Sequence, residues 1–433
     1  MAMLEAGSAS VTCSSTNLRQ RVRLLWGTRK GCLLKVCLFL LVTGVACKLA
    51  YQLSLSHAEH LILTHRNEDA KAWLSALERV SSSSAETQLL LARLAWSTDD
   101  VDEVRQHLVA AKSLGCPDAQ IEFEETLILA SEGRLRQMDR ALQRLLVTRE
   151  HDLQRVCDAF VSGYLRQFRF VEARALNDVW RQDYPGDSQP WFHEGCICQF
   201  EMRPVDASAS FKKALALAPY RTVVRARLAA VLVQNLQYSE AIQHYDLLLK
   251  EQPDNVEWLV GFGICHFNEG DLSEARQAFL NALTVSPKHR EGRLAIAELE
   301  ANEGRFDEAL RFAIGLCDDY PADYSSRYLM VRMLRSLGRH EDAQSHVKWL
   351  HEAEQVFREV SELRDKVNRQ PEDVSARVEI AKRLNRYSKH SEAVGWLRAA
   401  LHLEPDNQLA LKLLDESCRL AGIEGSVVRD SSN

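Results

Sequence analysis

The sequence predicts an all-α fold built as a solenoid of antiparallel helix pairs, and three observations carry that expectation. Pro185, Pro219, Pro253, Pro287 and Pro321 stand 34 residues apart, and so do Pro371 and Pro405. Glycine (19) and proline (10) are scarce in a chain of 433 residues, which disfavours a turn-rich β fold. From residue 54 onward, apolar residues recur at helical spacing with almost no strand-like alternation. A fixed period of this length marks a stack of like units, each burying its apolar face on the next.

Other residues repeat in phase with the prolines. A small residue stands twelve positions before each of six prolines: Ala173, Ala207, Ala241, Ala275, Ala309 and Ala393. Three positions further upstream lie Phe170, Tyr238 and Phe306, with Leu272 and His390 as variants. Gly270 and Gly304 come just before that position. Eight positions before the proline come Phe211, Tyr245 and Phe279, and five before it Ala214, Ala282 and Ala400. Each residue type has a physical task. Alanine lets two helices approach where a larger side chain would overpack. The aromatic residues fill the seam between hairpins. Glycine ends the first helix in a left-handed cap. Proline ends the second helix, because it cannot continue the hydrogen-bond ladder.

The segment Trp191-Phe192-His193-Glu194-Gly195, followed by Ala207, Phe211, Ala214 and Pro219, resembles the tetratricopeptide repeat motif. Units ending at Pro253, Pro287 and Pro321 resemble it too, with Arg225, Leu259 and Arg293 in place of the tryptophan. Upstream, residues 154–185 keep Phe160, Tyr164, Phe170, Ala173 and Pro185. Residues 85–117 and 119–148 keep only the helix–turn–helix rhythm, and 55–82 reads as a partial hairpin. The expected organisation is about nine repeats over 54–405, a capping helix over 406–421 and a disordered tail over 422–433. Pro321 and Pro371 are 50 residues apart, so 344–370 holds an insertion. It is either an overlong second helix or a short extra one. It serves either as a tolerated insertion or as a docking or dimerising helix, with Trp349, Leu350, Val356, Phe357, Val360 and Leu363 as an apolar stripe.

The resemblance implies a right-handed superhelix whose concave wall is lined by the first helix of each unit. It places Gln189, Phe192, Cys196, Gln199 and Phe200 on that wall. Val223, Ala226, Ala230, Val233 and Gln234 follow, then Glu257, Val260, Ile264, Phe267 and Asn268, then Glu291, Leu294, Glu298 and Asn302. This lining suits an amphipathic helix or an extended peptide with apolar anchors. The Lys/Asn/Arg carboxylate clamp of chaperone-binding relatives is missing, with Phe192, Cys196, Ala226 and Ala230 in its place. The asparagine ladder of sugar-transferring relatives is missing too, with His193, Arg227, Gly261 and Ala295 there.

The N-terminus reads separately. Residues 1–30 form a basic, disordered leader containing Arg19, Arg21, Arg23, Arg29 and Lys30. The apolar run Val36–Cys47 has Lys35 and Lys48 at its edges. Lysine stems can snorkel, so residues 31–53 are expected to form a transmembrane helix. A cleaved signal, with Cys47 in a weak lipoprotein-like box, and an interfacial segment are the other readings. The charge asymmetry puts the N-terminus in the cytoplasm and the repeats on the periplasmic or extracytoplasmic side of a single-pass protein.

No chemistry-bearing motif stands out. There is no phosphate loop, HExxH or GxSxG. Cys196 and Cys198 point about 200° apart on a helix, which is a poor chelate. The eleven cysteines show no repeated spacing, and a net charge of −6 does not suggest nucleic-acid binding. The chain is therefore expected to be no enzyme, with no cofactor or metal, and with other proteins and a membrane as partners. The functional expectation is a membrane-anchored interaction scaffold. The alternative is a non-catalytic accessory subunit of a membrane-associated transferase or of a secretion or assembly complex.

Overall fold

The computed structural model describes residues 48–80, 84–97, 100–134, 137–148, 152–370 and 372–421. The described residues are helical apart from short turns and linkers. Packing divides the chain into two units, Met1–Ile121 and Glu122–Asn433. In the first, α1 spans 48–63 and pairs with α2 (Asn67–Val80), and α3 (Ala85–Ser97) pairs with α4 (Val101–Ser113). The start of α5 (Asp118–Ser131) contains the division.

The expectation of a single-pass membrane protein, with its repeats on the far side, is corrected by this unit. Among the described residues no helix is long and apolar enough to cross a membrane. The described end of the expected 31–53 span, residues 48–53, is the first part of α1. That helix carries Gln52, Ser54, Ser56, His57, Glu59 and His60 between its apolar residues. It is amphipathic. Its Leu55, Ala58, Leu61 and Ile62 are buried with Ala70 and Leu74 in the first hairpin, not spread around the helix as a lipid-facing surface needs. The leader over 1–30, residues 31–47 with Cys47, and the tail over 422–433 lie outside the described residues.

The second unit runs from α5 through α6 (Met138–Thr148), α7 (Leu153–Arg166), α8 (Phe170–Asp183), α9 (Gln189–Phe200), α10 (Pro204–Leu217), α11 (Thr222–Gln234) and α12 (Tyr238–Glu251). It continues with α13 (Val256–Glu269), α14 (Leu272–Val285), α15 (Arg290–Asn302), α16 (Phe306–Asp319) and α17 (Tyr324–Ser336). It ends with α18 (His340–Arg369), α19 (Val374–Asn385), α20 (His390–Leu403) and α21 (Gln408–Ala421). From α7 on, every helix packs on the next. First helices of neighbouring units also meet directly: α7 with α9, α11 with α13, α13 with α15, and α15 with α17. The second helices do not approach one another as closely, so the first helices form the inner wall of the curve.

The punctuation works as its chemistry requires. Ala173, Ala207, Ala241, Ala275, Ala309 and Ala393 are completely buried between helices. Phe211, Tyr245 and Phe279 are buried, and the rings of Phe211 and Phe279 lie where a Cβ on Gly195 or Gly263 would be. Tyr184, Ala218, Gln252, Ser286, Tyr320 and Glu404, each just before an in-phase proline, leave the helical region with φ between −126° and −137°. Proline disfavours the helical conformation at the residue before it. At the turn inside each unit one residue is left-handed: Phe168, Met202, Leu236, Gly270, Gly304, Gly338 and Ser388. The following amide then donates back five residues, as Arg203 does to the Cys198 carbonyl at 2.8 Å and Arg305 to the Glu300 carbonyl at 2.9 Å.

The irregularity after Ala343 is one helix of 30 residues, about 45 Å long. Leu350 of α18 belongs to the core built with Leu310, Leu329 and Leu334, and Trp349 packs against the same core. Val360 and Val367 belong to the next core, with Ile380, Leu384, Trp396 and Leu397, and Leu363 packs there. The apolar stripe of α18 is thus used inside the fold. The helix is a shared wall of two successive cores.

Beyond α18 the array meets its own earlier part. The left-handed Phe168, in the turn between α7 and α8, packs against the core of α18–α21. Its ring stacks on Trp396 at 4.5 Å. The series of packed helices from α7 to α20 is therefore a closed circuit.

Candidate functional site

The residues expected on the inner wall lie on α9, α11, α13 and α15, first helices of four successive units. Two of these helices, α13 and α15, begin with a side-chain cap. Asn255 Oδ1 accepts from the Trp258 amide at 3.2 Å, and His289 Nδ1 from the Gly292 amide at 3.2 Å.

Exposure sorts the expected residues into three groups. Phe200, Val223, Gln234, Glu257, Asn268, Glu291 and Asn302 are exposed. Val223 is the most open of the apolar ones at 62%. Phe192, Gln199, Ile264, Phe267, Leu294 and Glu298 are half-buried. Of these, Phe192, Ile264, Phe267 and Leu294 lie against core clusters, so each shows one flank only. Gln189 and Val260 are buried and present nothing to a partner. Three of the exposed or half-buried polar residues are already engaged: Glu298 pairs with Arg332, Glu291 pairs with Arg290, and Asn268 donates to the Ile264 carbonyl at 2.8 Å.

Gln189 is buried because it is the middle of a polar network across three units. Its Nε2 donates to Asp158 Oδ1 of α7 at 2.8 Å, and its Oε1 accepts from Arg221 just before α11. His193 Nε2 donates to the same Asp158 oxygen at 2.6 Å. Arg221 also donates to Ser188 Oγ at 2.8 Å and lies over the Phe192 ring at 5.3 Å. Burial pushes the Arg221 guanidinium down to about 10, still charged at neutral pH. This network locks the register of α7, α9 and α11. The sequence reading missed it, although one signal was present. Asp187, Arg221, Asn255, His289 and Asp323 occupy one repeat position; Asn255, His289 and Asp323 cap a helix, and Arg221 does not.

Cys196 is half-buried and Cys198 buried. Burial pushes both thiols up to about 11, so neither is a thiolate at neutral pH. Among the described residues no cluster of three His, Cys, Asp or Glu side chains could hold a metal ion.

Comparison with known proteins agrees with the repeat geometry. Tetratricopeptide repeat profiles match residues 201–260 and 266–324, and the chain carries tetratricopeptide repeats there. Residues of this chain are 28% identical over 123 positions to a "DnaJ homolog subfamily C member 7 homolog" of Dictyostelium discoideum, covering 28% of this chain and 22% of that protein. They are 28% identical over 175 positions to the "N-terminal acetyltransferase A complex auxiliary subunit NAA15" of Arabidopsis thaliana, covering 40% of this chain and 18% of that one. The chain thus spans about a fifth of the length of these curated relatives. Among solved structures, a tetratricopeptide repeat protein of Parabacteroides merdae is 18% identical, with a TM-score of 0.40, over 59% of this chain and 95% of its own.

Proposed function

We propose that this chain is a non-catalytic scaffold whose inner wall, from α9 to α15, holds another protein as a helix or an extended segment. The observation that carries the reading is the exposure of Phe200 and Val223, with half-open Ile264 and Leu294, on the first helices α9, α11, α13 and α15. Apolar residues presented on a rigid concave surface fit an amphipathic partner, and the exposed Glu257, Glu291, Gln234 and Asn302 supply polar contacts around them. The test is affinity capture by the full chain. A partner should be retained by the wild type and by Leu280→Glu, a change on the second helix α14. It should be lost from the double variant Val223→Glu, Leu294→Glu. Equal retention by the double variant removes the wall from consideration.

A second reading is an accessory subunit, in which this chain positions a substrate while another chain does the chemistry. The similarity to an auxiliary subunit of an acetyltransferase complex favours it. It predicts co-purification at fixed stoichiometry with a catalytic chain, where a scaffold for transient partners gives sub-stoichiometric recovery.

A further inference from the structure

The closed circuit of the second unit is held where the α7–α8 turn meets α20, and that contact contains a titratable group in a defined protonation state. Arg169 Nη1 lies 2.9 Å from His402 Nε2. A guanidinium can only donate, so Nε2 must be the acceptor and the imidazole must be neutral. Beside it, Phe168 stacks on Trp396 with rings 4.5 Å apart. The fit is close enough that a Cβ on Gly395 would lie 2.1 Å from the Phe168 ring.

The charged surroundings of His402 come from each neighbouring element. From the turn and α8 come Arg169 and Glu172, from α6 Asp139, from α7 the Tyr164 hydroxyl, and from α19 Arg377. Arg398 stands on His402's own helix. Both carboxylates are already engaged by the same arginine. Glu172 accepts from Arg169 Nε at 2.7 Å and Asp139 from Arg169 Nη2 at 3.2 Å, while Tyr164 donates to Asp139 at 2.6 Å. A proton on Nε2 would remove the hydrogen bond and set a second cation against Arg169.

We propose that the contact of Phe168 and Arg169 with Trp396 and His402 is a clasp that closes the second unit when His402 is neutral and releases it when His402 is protonated. This goes beyond the partner-binding reading and does not rest on it. Burial, and then the Arg169 charge, hold the His402 imidazole below its ordinary range in the closed form. The open form takes up the proton first. The clasp is thus complete above about pH 6.5 and weakens as pH falls below that.

The experiment uses the full chain with a fluorescent donor and acceptor on genetically encoded keto residues at Val179 of α8 and Leu409 of α21, both exposed. Energy transfer should fall between pH 7.5 and 5.5. The closed-to-open ratio should drop by up to tenfold per pH unit below about 6.5. His402→Gln keeps an oxygen to accept from Arg169 and does not titrate, so its transfer should stay high and flat. Gly395→Leu pushes a side chain into the Phe168 ring and should lower transfer at every pH. Constant transfer in the wild type overturns the proposal, as does a wild-type response in His402→Gln. Unchanged transfer in Gly395→Leu means that the circuit is not closed in solution, which overturns it equally.

Discussion

The ring of Phe211 occupies the space a side chain at Gly195 would need: a Cβ there would stand 2.4 Å from the ring edge. The pair joins the two helices of one unit, and Phe211 is fully buried. Gly195→Val should therefore destabilise the fold by about 2 kcal/mol through overpacking, read as a lower urea midpoint. Adding Phe211→Leu should recover part of that loss, giving a coupling of about 1 kcal/mol in a double-mutant cycle. Simple additivity of the two changes would show that the residues do not compete for one space.

The left-handed column separates two kinds of unit. Gly270 has φ 94°, which costs glycine nothing, whereas Met202 and Leu236 hold φ 58° with a side chain. Gly270→Ala should cost about 1 kcal/mol. Met202→Gly should add about 0.5–1 kcal/mol by removing strain, less the extra chain entropy of glycine. Thermal midpoints of the two variants should move in opposite directions. A fall for Met202→Gly would mean that its exposed side chain contributes contacts that outweigh the strain.

Asp373 gives a pH-dependent contribution of known sign. Lys366 Nζ lies 2.6 Å away and the Ala376 amide donates at 2.8 Å, and these hold the carboxyl below its ordinary range. A depressed carboxylate stabilises the fold above its unfolded pKa of about 3.9, and the stabilisation is lost as pH falls through the depressed folded value. Lys366 is half exposed, so the charge part is screened and the whole is about 1 kcal/mol. Asp373→Ala should lower stability by that amount at pH 7 and by much less at pH 3, in urea titrations at the two values. An equal loss at both would leave the ionised cap without a role.

The shared helix α18 predicts coupling between its two cores. Leu350→Ala should cost about 2–4 kcal/mol, and Val360→Ala about 1–3. Hydrogen exchange should then speed up on both sides of α18, in α16–α17 and in α19–α20, whichever residue is changed. Loss of protection on one side only would mean that the two halves of the helix act independently.

The amino-acid sequence shows the units plainly because each depends on contacts within about 34 residues. Ala207 needs only its own hairpin, and Pro219 acts on the residue before it. These rules hold wherever the repeat occurs. The membrane expectation failed for a related reason. A hydropathy reading treats residues 48–53 as the end of an apolar run, but their helix continues into Ser54, His57 and Glu59 and is amphipathic. For the wall, the sequence pattern places residues on first helices but does not tell Val223, which is open, from Val260, which is buried. That difference depends on which neighbour leans over each residue. The clasp was not legible at all. Arg169 and His402 are 233 residues apart, and their meeting depends on the summed geometry of every unit between them and on the length of α18.

A linear array of repeats melts from its ends, because a terminal unit has one neighbour to hold it instead of two. Between α7 and α20 the second unit has no such end, since the Phe168 turn gives each flank a second neighbour. Fraying there has nowhere to begin without first breaking that contact. The array then loses its structure as a single cooperative transition, with a nucleation step at one known place, where an open stack would peel away one hairpin at a time.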